Sequence, residues 1–193
     1  MILHRRTLLK GAAASLVAAP ALAQDWRAST MRFIPQANLS SLDPIWTTAT
    51  VTNNHGYYVY DTLFAADMAF KAQPQMAEGY EVLDNGLRWR IKLRPGLKFH
   101  DGEAVRSQDC IASIMRWTQR DAFGQLVAKV IDSTQVVDYR TFDIKLKRPF
   151  PLLLDALGKP DTPAFIMPER HAKTEATKQV TEMVGSGPYR FLA

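Results

Sequence analysis

The chain has 193 residues, 47% hydrophobic, 22% charged and 10% aromatic, a globular profile that excludes disorder, collagen and coiled coil. One cysteine, Cys110, excludes an internal disulfide framework and a Cys-rich zinc site. The formal charge of +5 hints at a nucleic-acid partner, but part of it sits in the first ten residues.

Met1–Lys10 carries Arg5, Arg6 and Lys10 and no acid, and Gly11–Ala23 follows as a 13-residue, Ala-rich apolar stretch ending in Ala21-Leu22-Ala23. A positive region, a short apolar region and an A-x-A close predict a secretory signal over residues 1–23, cut after Ala23. A membrane span needs about 20 apolar residues, and this stretch, interrupted by Pro20, falls short. The paired Arg5 and Arg6 match the twin-arginine export route, with the Sec route as the alternative. Removing Arg5, Arg6 and Lys10 takes Lys plus Arg from 24 to 21 against 19 acids, leaving about +2. No nucleic-acid partner is then expected.

Met31–Ile34 reads as a short strand, and Ser41-Leu42-Asp43-Pro44 as a turn. Thr52–Phe64 predicts a helix capped by Thr52 or Asn53, with Tyr57, Tyr60 and Phe64 on one core-facing stripe. Tyr80–Leu83 and Leu87–Leu93 flank Asp84-Asn85-Gly86, a strong hairpin cue. In its second strand Leu87, Trp89, Ile91 and Leu93 share an inner face, while Arg88, Arg90, Lys92 and Arg94 share a face expected to be solvated. Ser107 is expected to cap a helix to about Gln119 with Cys110, Ile111, Ile114, Met115 and Thr118 inward, and a second helix covers Phe123–Ile131. Val136-Val137 and Phe142–Leu146 predict an antiparallel pair, with Asp143, Lys145 and Lys147 outward. Pro149–Leu157 reads as a loop entering a short buried helix, and Gly185–Phe191 as a turn entering a strand on which the chain stops.

The search for chemistry returns little. His55, His100 and His171 lack metal-ligand spacing, and Gly185-Ser186-Gly187 does not have the spacing of a nucleophile elbow. There is no Walker loop and no G-x-G-x-x-G, and Cys110 reads as a buried structural thiol. No catalytic residue, metal or cofactor is therefore expected.

Seven ordered motifs carry a resemblance. Glu78–Gly102 (EGYEVLDNGLRWRIKLRPGLKFHDG) is joined by Ser41–Pro44, Tyr60–Leu63, Gln73–Ala77, Ser107–Cys110, Pro149–Pro151 and Gly185–Tyr189. Together they resemble extracellular solute-binding protein family 5, the periplasmic dipeptide-, oligopeptide-, nickel- and glutathione-binding components of ABC importers. Arg88 stands where the family usually has Thr or Ser, and Ser186 where it usually has Thr.

The resemblance implies an α/β fold, the type II periplasmic-binding-protein clamshell with an inserted domain. Residues 24–45 would begin lobe I, 46–167 form the inserted domain and 168–193 return to lobe I, with the second lobe missing from a truncated chain. It also implies that Trp46, Thr47, Thr48, Ala49 and Thr50 line the ligand cleft, where hydroxyls, backbone groups and an indole wall suit a polar, extended ligand. The partners implied are a peptide or other small solute and the permease subunits, through which alone the protein meets a membrane. The expected product is a periplasmic monomer without enzyme activity. An exported twin-arginine-dependent enzyme and a non-functional truncated product are the alternatives.

Overall fold

Alternation of apolar and charged side chains, broken by a turn sequence, builds the centre of the molecule. The structure is a computed structural model that describes residues 32–192; the secretion signal read over residues 1–23, including Arg5, Arg6, Ala21 and Ala23, lies outside them. The chain divides into units Met1–Pro35 and Gln36–Ala193. Arg32–Pro35, the described part of the first, is irregular, so the strand expected over Met31–Ile34 is absent from Arg32–Ile34.

In the second unit β4 (Ala77–Leu83) and β5 (Arg88–Leu93) form the expected hairpin, with Leu83 opposite Arg88. Asn85 (φ 53°) and Gly86 (φ 88°) take left-handed backbone, which Asn and Gly adopt at low cost. β6 (Ile131–Val136) and β7 (Thr141–Leu146) complete a four-stranded antiparallel sheet of order β4-β5-β7-β6. Register places Trp89 opposite Ile144 and Ile91 opposite Phe142, so cross-strand apolar pairs line one buried face. Leu87 lies outside that face, exposed at the strand's start.

The opposite face departs from a simple solvated row. Asp143 points outward as alternation requires, yet its side chain is only 2% exposed. Arg90 donates to it through Nε (2.9 Å) and Nη2 (3.0 Å), and Arg88 Nη1 lies 3.6 Å away. Lys92 pairs with Glu78 at 3.1 Å. Closure over one central carboxylate, a long-range contact invisible to local pattern, covers what alternation alone would leave wet.

Helix α2 (Ser107–Arg120) crosses the buried face, followed by α3 (Ala122–Val130). Ser107 is the first helical residue rather than the cap; its hydroxyl donates to the Asp138 carbonyl (2.8 Å), and Asp109 accepts from the Arg106 N–H (2.7 Å). Cys110, Ile114 and Thr118 are buried as expected, while Ile111 and Met115 are only half-buried. Ser113, Arg116 and Trp117 occupy the remaining buried stripe.

Helix α1 spans Thr50–Val59, shorter than and shifted from the expected Thr52–Phe64. Its N-cap is Ala49, and Thr52 is buried inside the first turn with its hydroxyl on the Ser41 carbonyl (2.9 Å). The helix ends because β1 (Asp61–Thr62) pairs with β8 (Phe165–Ile166), and β2 (Phe64–Ala66) pairs with β3 (Ala72–Pro74). Tertiary pairing here overrides local helical spacing. Tyr60 and Phe64 are still buried, each 1% exposed, but Tyr57 lies at the surface with its hydroxyl on the Pro160 carbonyl (2.7 Å). The short buried helix expected after Pro149 is α4 (Leu153–Gly158), against β2 and β3, and α5 (Glu169–Ala172) follows β8. Gly185–Phe191 forms no strand. It hydrogen-bonds along the end of α1 instead, from Gly187 N to Val59 O (2.9 Å) and from Tyr189 N to Tyr58 O (2.8 Å).

Candidate functional site

The loop Trp46–Thr50 stands on a buried ion pair. Asp43 is fully buried in the turn that precedes it, and its Oδ1 accepts from the N–H groups of Ile45 (3.0 Å) and Trp46 (3.2 Å). Arg116, 1% exposed on α2, meets the same carboxylate as a fork, Nη1 to Oδ1 at 3.0 Å and Nη2 to Oδ2 at 2.7 Å. Such bidentate pairs fix direction as well as position. The remaining donors of Arg116 reach the carbonyls of Thr174 (3.2 Å) and Lys178 (3.0 Å), and Val180 N–H donates to Asp43 Oδ2 (2.8 Å). Both carboxylate oxygens and all three guanidinium nitrogens are therefore hydrogen-bonded, the condition under which a buried pair is tolerated.

This hub ties three separate pieces of chain together: the turn before α1, the middle of α2 and the irregular strap 174–180. Ser41 adds a bond to Gln179 Oε1 (3.0 Å), and Trp46 Nε1 donates to the Thr177 carbonyl (3.3 Å). At the end of α2, Arg120 donates to the Trp46 carbonyl (2.7 Å), and its guanidinium carbon lies 5.9 Å from the centre of the indole ring. Thr47 Oγ1 accepts from Ala49 N–H (3.2 Å), and the Ala49 carbonyl starts α1 by accepting from Asn53 (3.0 Å).

The structure therefore keeps all five residues read from the sequence in one short segment. Trp46, Thr47 and Ala49 are half-buried, whereas Thr48 and Thr50 are exposed. The far side of α1 is anchored to Pro160: Asn53 Nδ2 (3.4 Å) and the Tyr57 hydroxyl (2.7 Å) share its carbonyl. Burial, reinforced by the Asp161 charge, pushes the Tyr57 hydroxyl up to about 12. Asp121 closes this region by accepting from Gly124 N–H (2.8 Å), Lys159 Nζ (2.7 Å) and the Thr162 hydroxyl (2.7 Å).

The arrangement is one of presentation. A rigid base holds out hydroxyls, backbone groups and one aromatic wall, a set that can bind and orient a polar solute. The three described histidines are dispersed. His100 Nε2 lies 2.9 Å from the Gly187 carbonyl, His171 Nε2 lies 2.9 Å from Glu182, and His55 stands edge-on to Phe191. Among the described residues no group of three or more His, Cys, Asp or Glu side chains could hold a metal ion. Burial raises the Cys110 thiol far above the ordinary thiol range. A groove of about 630 Å³ adjoins the hub, lined by Ile111, Met115, Arg116, Val136, Ala172 and Thr174 and by no residue of the Trp46–Thr50 loop.

Asp43 and Arg116 were not singled out from the sequence. Arg116 falls one turn from Ser113 on a stripe that is otherwise buried, which marks it as a cation in need of an internal partner. Its partner lies 73 positions away, beyond any local pattern.

The fold is that of a known class. Solved periplasmic binding proteins share this architecture: one titled MoaA in complex with mannopinic acid, from A.tumefacien R10, superposes at TM-score 0.66 with 28% identity over 78% of this chain and 32% of its own. NikA from Brucella suis with Fe(III)-EDTA gives 0.70, at 24% identity over 83% of this chain and 32% of its own. Residues 71–193 match the bacterial extracellular solute-binding proteins, family 5, middle region, and the chain belongs to that family. Two curated relatives are a probable peptide ABC transporter periplasmic-binding protein from Sinorhizobium fredii, y4tO, and the glutathione-binding protein GsiB of Pectobacterium atrosepticum. The first is 38% identical over 99% of this chain and 36% of its own length, the second 32% over 100% and 37%. The chain thus spans about a third of the length of the relatives it matches.

Proposed function

We propose that this chain supplies the Trp46–Thr50 edge of the ligand cleft in an exported solute-binding component of an ABC importer. The component captures a peptide-like or similar small solute and passes it to a membrane permease. The observation that carries the reading is the saturated Asp43–Arg116 pair: a deeply buried charge pair is used to hold out a short hydroxyl-bearing loop. The names of the relatives, peptide- and glutathione-binding, support a peptide-like ligand and a periplasmic site of action. Family membership and the dispersed histidines support binding without catalysis. On this reading residues 24–45 begin lobe I, 46–167 are the inserted domain, 168–193 return to lobe I, and residues 1–23 are the export signal. The protein acts as a monomer, without cofactor or nucleic acid.

A micromolar ligand is held by about −8.2 kcal/mol and a millimolar one by about −4.1 kcal/mol. A chain that supplies only one side of the cleft should therefore bind at roughly millimolar affinity. Ligand-observed NMR on the 193-residue chain with a mixed tripeptide pool tests this. Millimolar binding, weakened about tenfold in Trp46→Ala, is the expected result. Micromolar binding overturns the one-sided cleft, and a Trp46→Ala variant that binds like the wild type overturns the loop assignment.

A further inference from the structure

The four-stranded sheet ends at β6, whose free edge opens onto the groove beside α2. Val137 N–H donates to the carbonyl of Thr141 directly opposite (2.9 Å), so Ser133, Gln135 and Val137 are the residues that bond across to β7. Thr134 and Val136 lie between them and point their N–H and C=O groups away from β7, where no other described element takes them up. Their side chains stand opposite Ile144 and Phe142, on the face that α2 covers, and border the groove. Ile111 and Met115, both half-buried, line it from α2, and Ala172 and Thr174 belong to the wall that faces β6.

A free strand edge beside apolar side chains is the arrangement that accepts an added strand, because the ladder supplies hydrogen bonds and alternate side chains find a floor. The second wall narrows the occupant. Neighbouring strands lie about 4.8 Å apart, and a slot of about 630 Å³ bounded on its far side by residues 172–176 admits one extended segment of a few residues. The edge of another folded sheet does not fit, nor does β6 of a second copy, which carries α2 against it. Charge selects as well. Lys173 pairs with Glu169 (2.7 Å) and Lys178 with Glu175 (3.1 Å), and the donors of Arg116 are committed to Asp43 and two carbonyls. The charges that border the slot are thus already matched.

We propose that the slot between β6 and α2 binds an extended, uncharged peptide as a fifth strand, with apolar side chains at alternate positions over Ile111 and Met115. The added strand runs antiparallel to β6, as every pair in this sheet does. Its apolar residues then lie opposite Thr134 and Val136 and exchange both backbone hydrogen bonds with them, while the intervening residues face solvent. The site is separate from the Trp46–Thr50 loop and does not depend on the cleft reading.

Acetyl-Ser-Val-Thr-Val-Ser-amide, which has no charged ends, tests this by ligand-observed NMR on the protein purified from its native cell. Binding at or below about 1 mM is expected. N-methylation of the two valines removes the N–H groups that meet β6 and should weaken binding by about tenfold or more. N-methylation of the serines and the threonine, whose N–H groups face away, should change it by less than about twofold. Thr134→Pro, which removes an N–H the sheet does not use, and Met115→Lys should each weaken the parent peptide by about tenfold. Val82→Lys on the opposite edge strand β4 should leave it unchanged, as should Trp46→Ala and a saturating tripeptide pool. Any other ranking of the two methylated peptides, or no binding of the parent peptide, overturns the fifth strand. Displacement by the tripeptides, or loss of binding in Trp46→Ala, puts the peptide at the loop; that overturns the slot and leaves the cleft reading standing.

Discussion

Asp43 and Arg116 form a buried ion pair that joins three separate pieces of chain. Removing one partner of a fully buried pair leaves the other charged and dry, at a cost of about 3–5 kcal/mol. Asp43→Ala should lower stability by that amount in urea unfolding, and the double replacement Asp43→Leu with Arg116→Met should recover much of it. Failure of Asp43→Ala to destabilise would show that the pair does not hold the loop base. Burial also lowers the pKa of His55, so the folded chain favours the neutral ring. As pH falls through about 6.5 the unfolded chain takes up this proton first, so stability declines from there until the folded ring is protonated as well. His55→Asn should flatten that part of the stability–pH curve. Cys110, with its thiol held protonated by burial, should react with a disulfide reagent only when the chain unfolds.

Among the elements, those with a strong local signal were legible in the sequence. The Asn85-Gly86 turn and the alternation of Trp89, Ile91 and Leu93 predict the β4–β5 hairpin, and the apolar spacing after Ser107 predicts α2. What local pattern could not supply were decisions made at long range. α1 ends at Val59 because Asp61 and Thr62 pair with Phe165 and Ile166, a hundred positions away, and Asp143 is covered because arginines of β5 fold over it. The five loop residues of the candidate site were visible in the sequence only through family resemblance; their support by Arg116, Arg120 and the strap 174–180 was not. The segment expected to be a strand after Gly185 shows the same limit. Its glycines let two backbones touch: a Cβ at Gly185 would sit 1.9 Å from the Val59 carbonyl oxygen, and one at Gly187 would sit 2.7 Å from the Tyr60 carbonyl oxygen. Gly185→Ala should therefore push this segment off α1 and cost about 1–3 kcal/mol in thermal unfolding. An unchanged melting temperature would mean the contact is not maintained.

At the scale of the whole molecule, the chain carries a family fold over about a third of its relatives' length. The central claim is that the solute meets this protein at Trp46–Thr50. Hydrogen–deuterium exchange on the protein from its native cell, with and without a saturating mixed tripeptide pool, reports on that most directly. The account predicts slowed exchange at the amides of Thr47 to Val51, whose N–H groups open the α1 end of the loop. Protection along the Ile111–Met115 groove with the loop unchanged, or no protection anywhere, would contradict it.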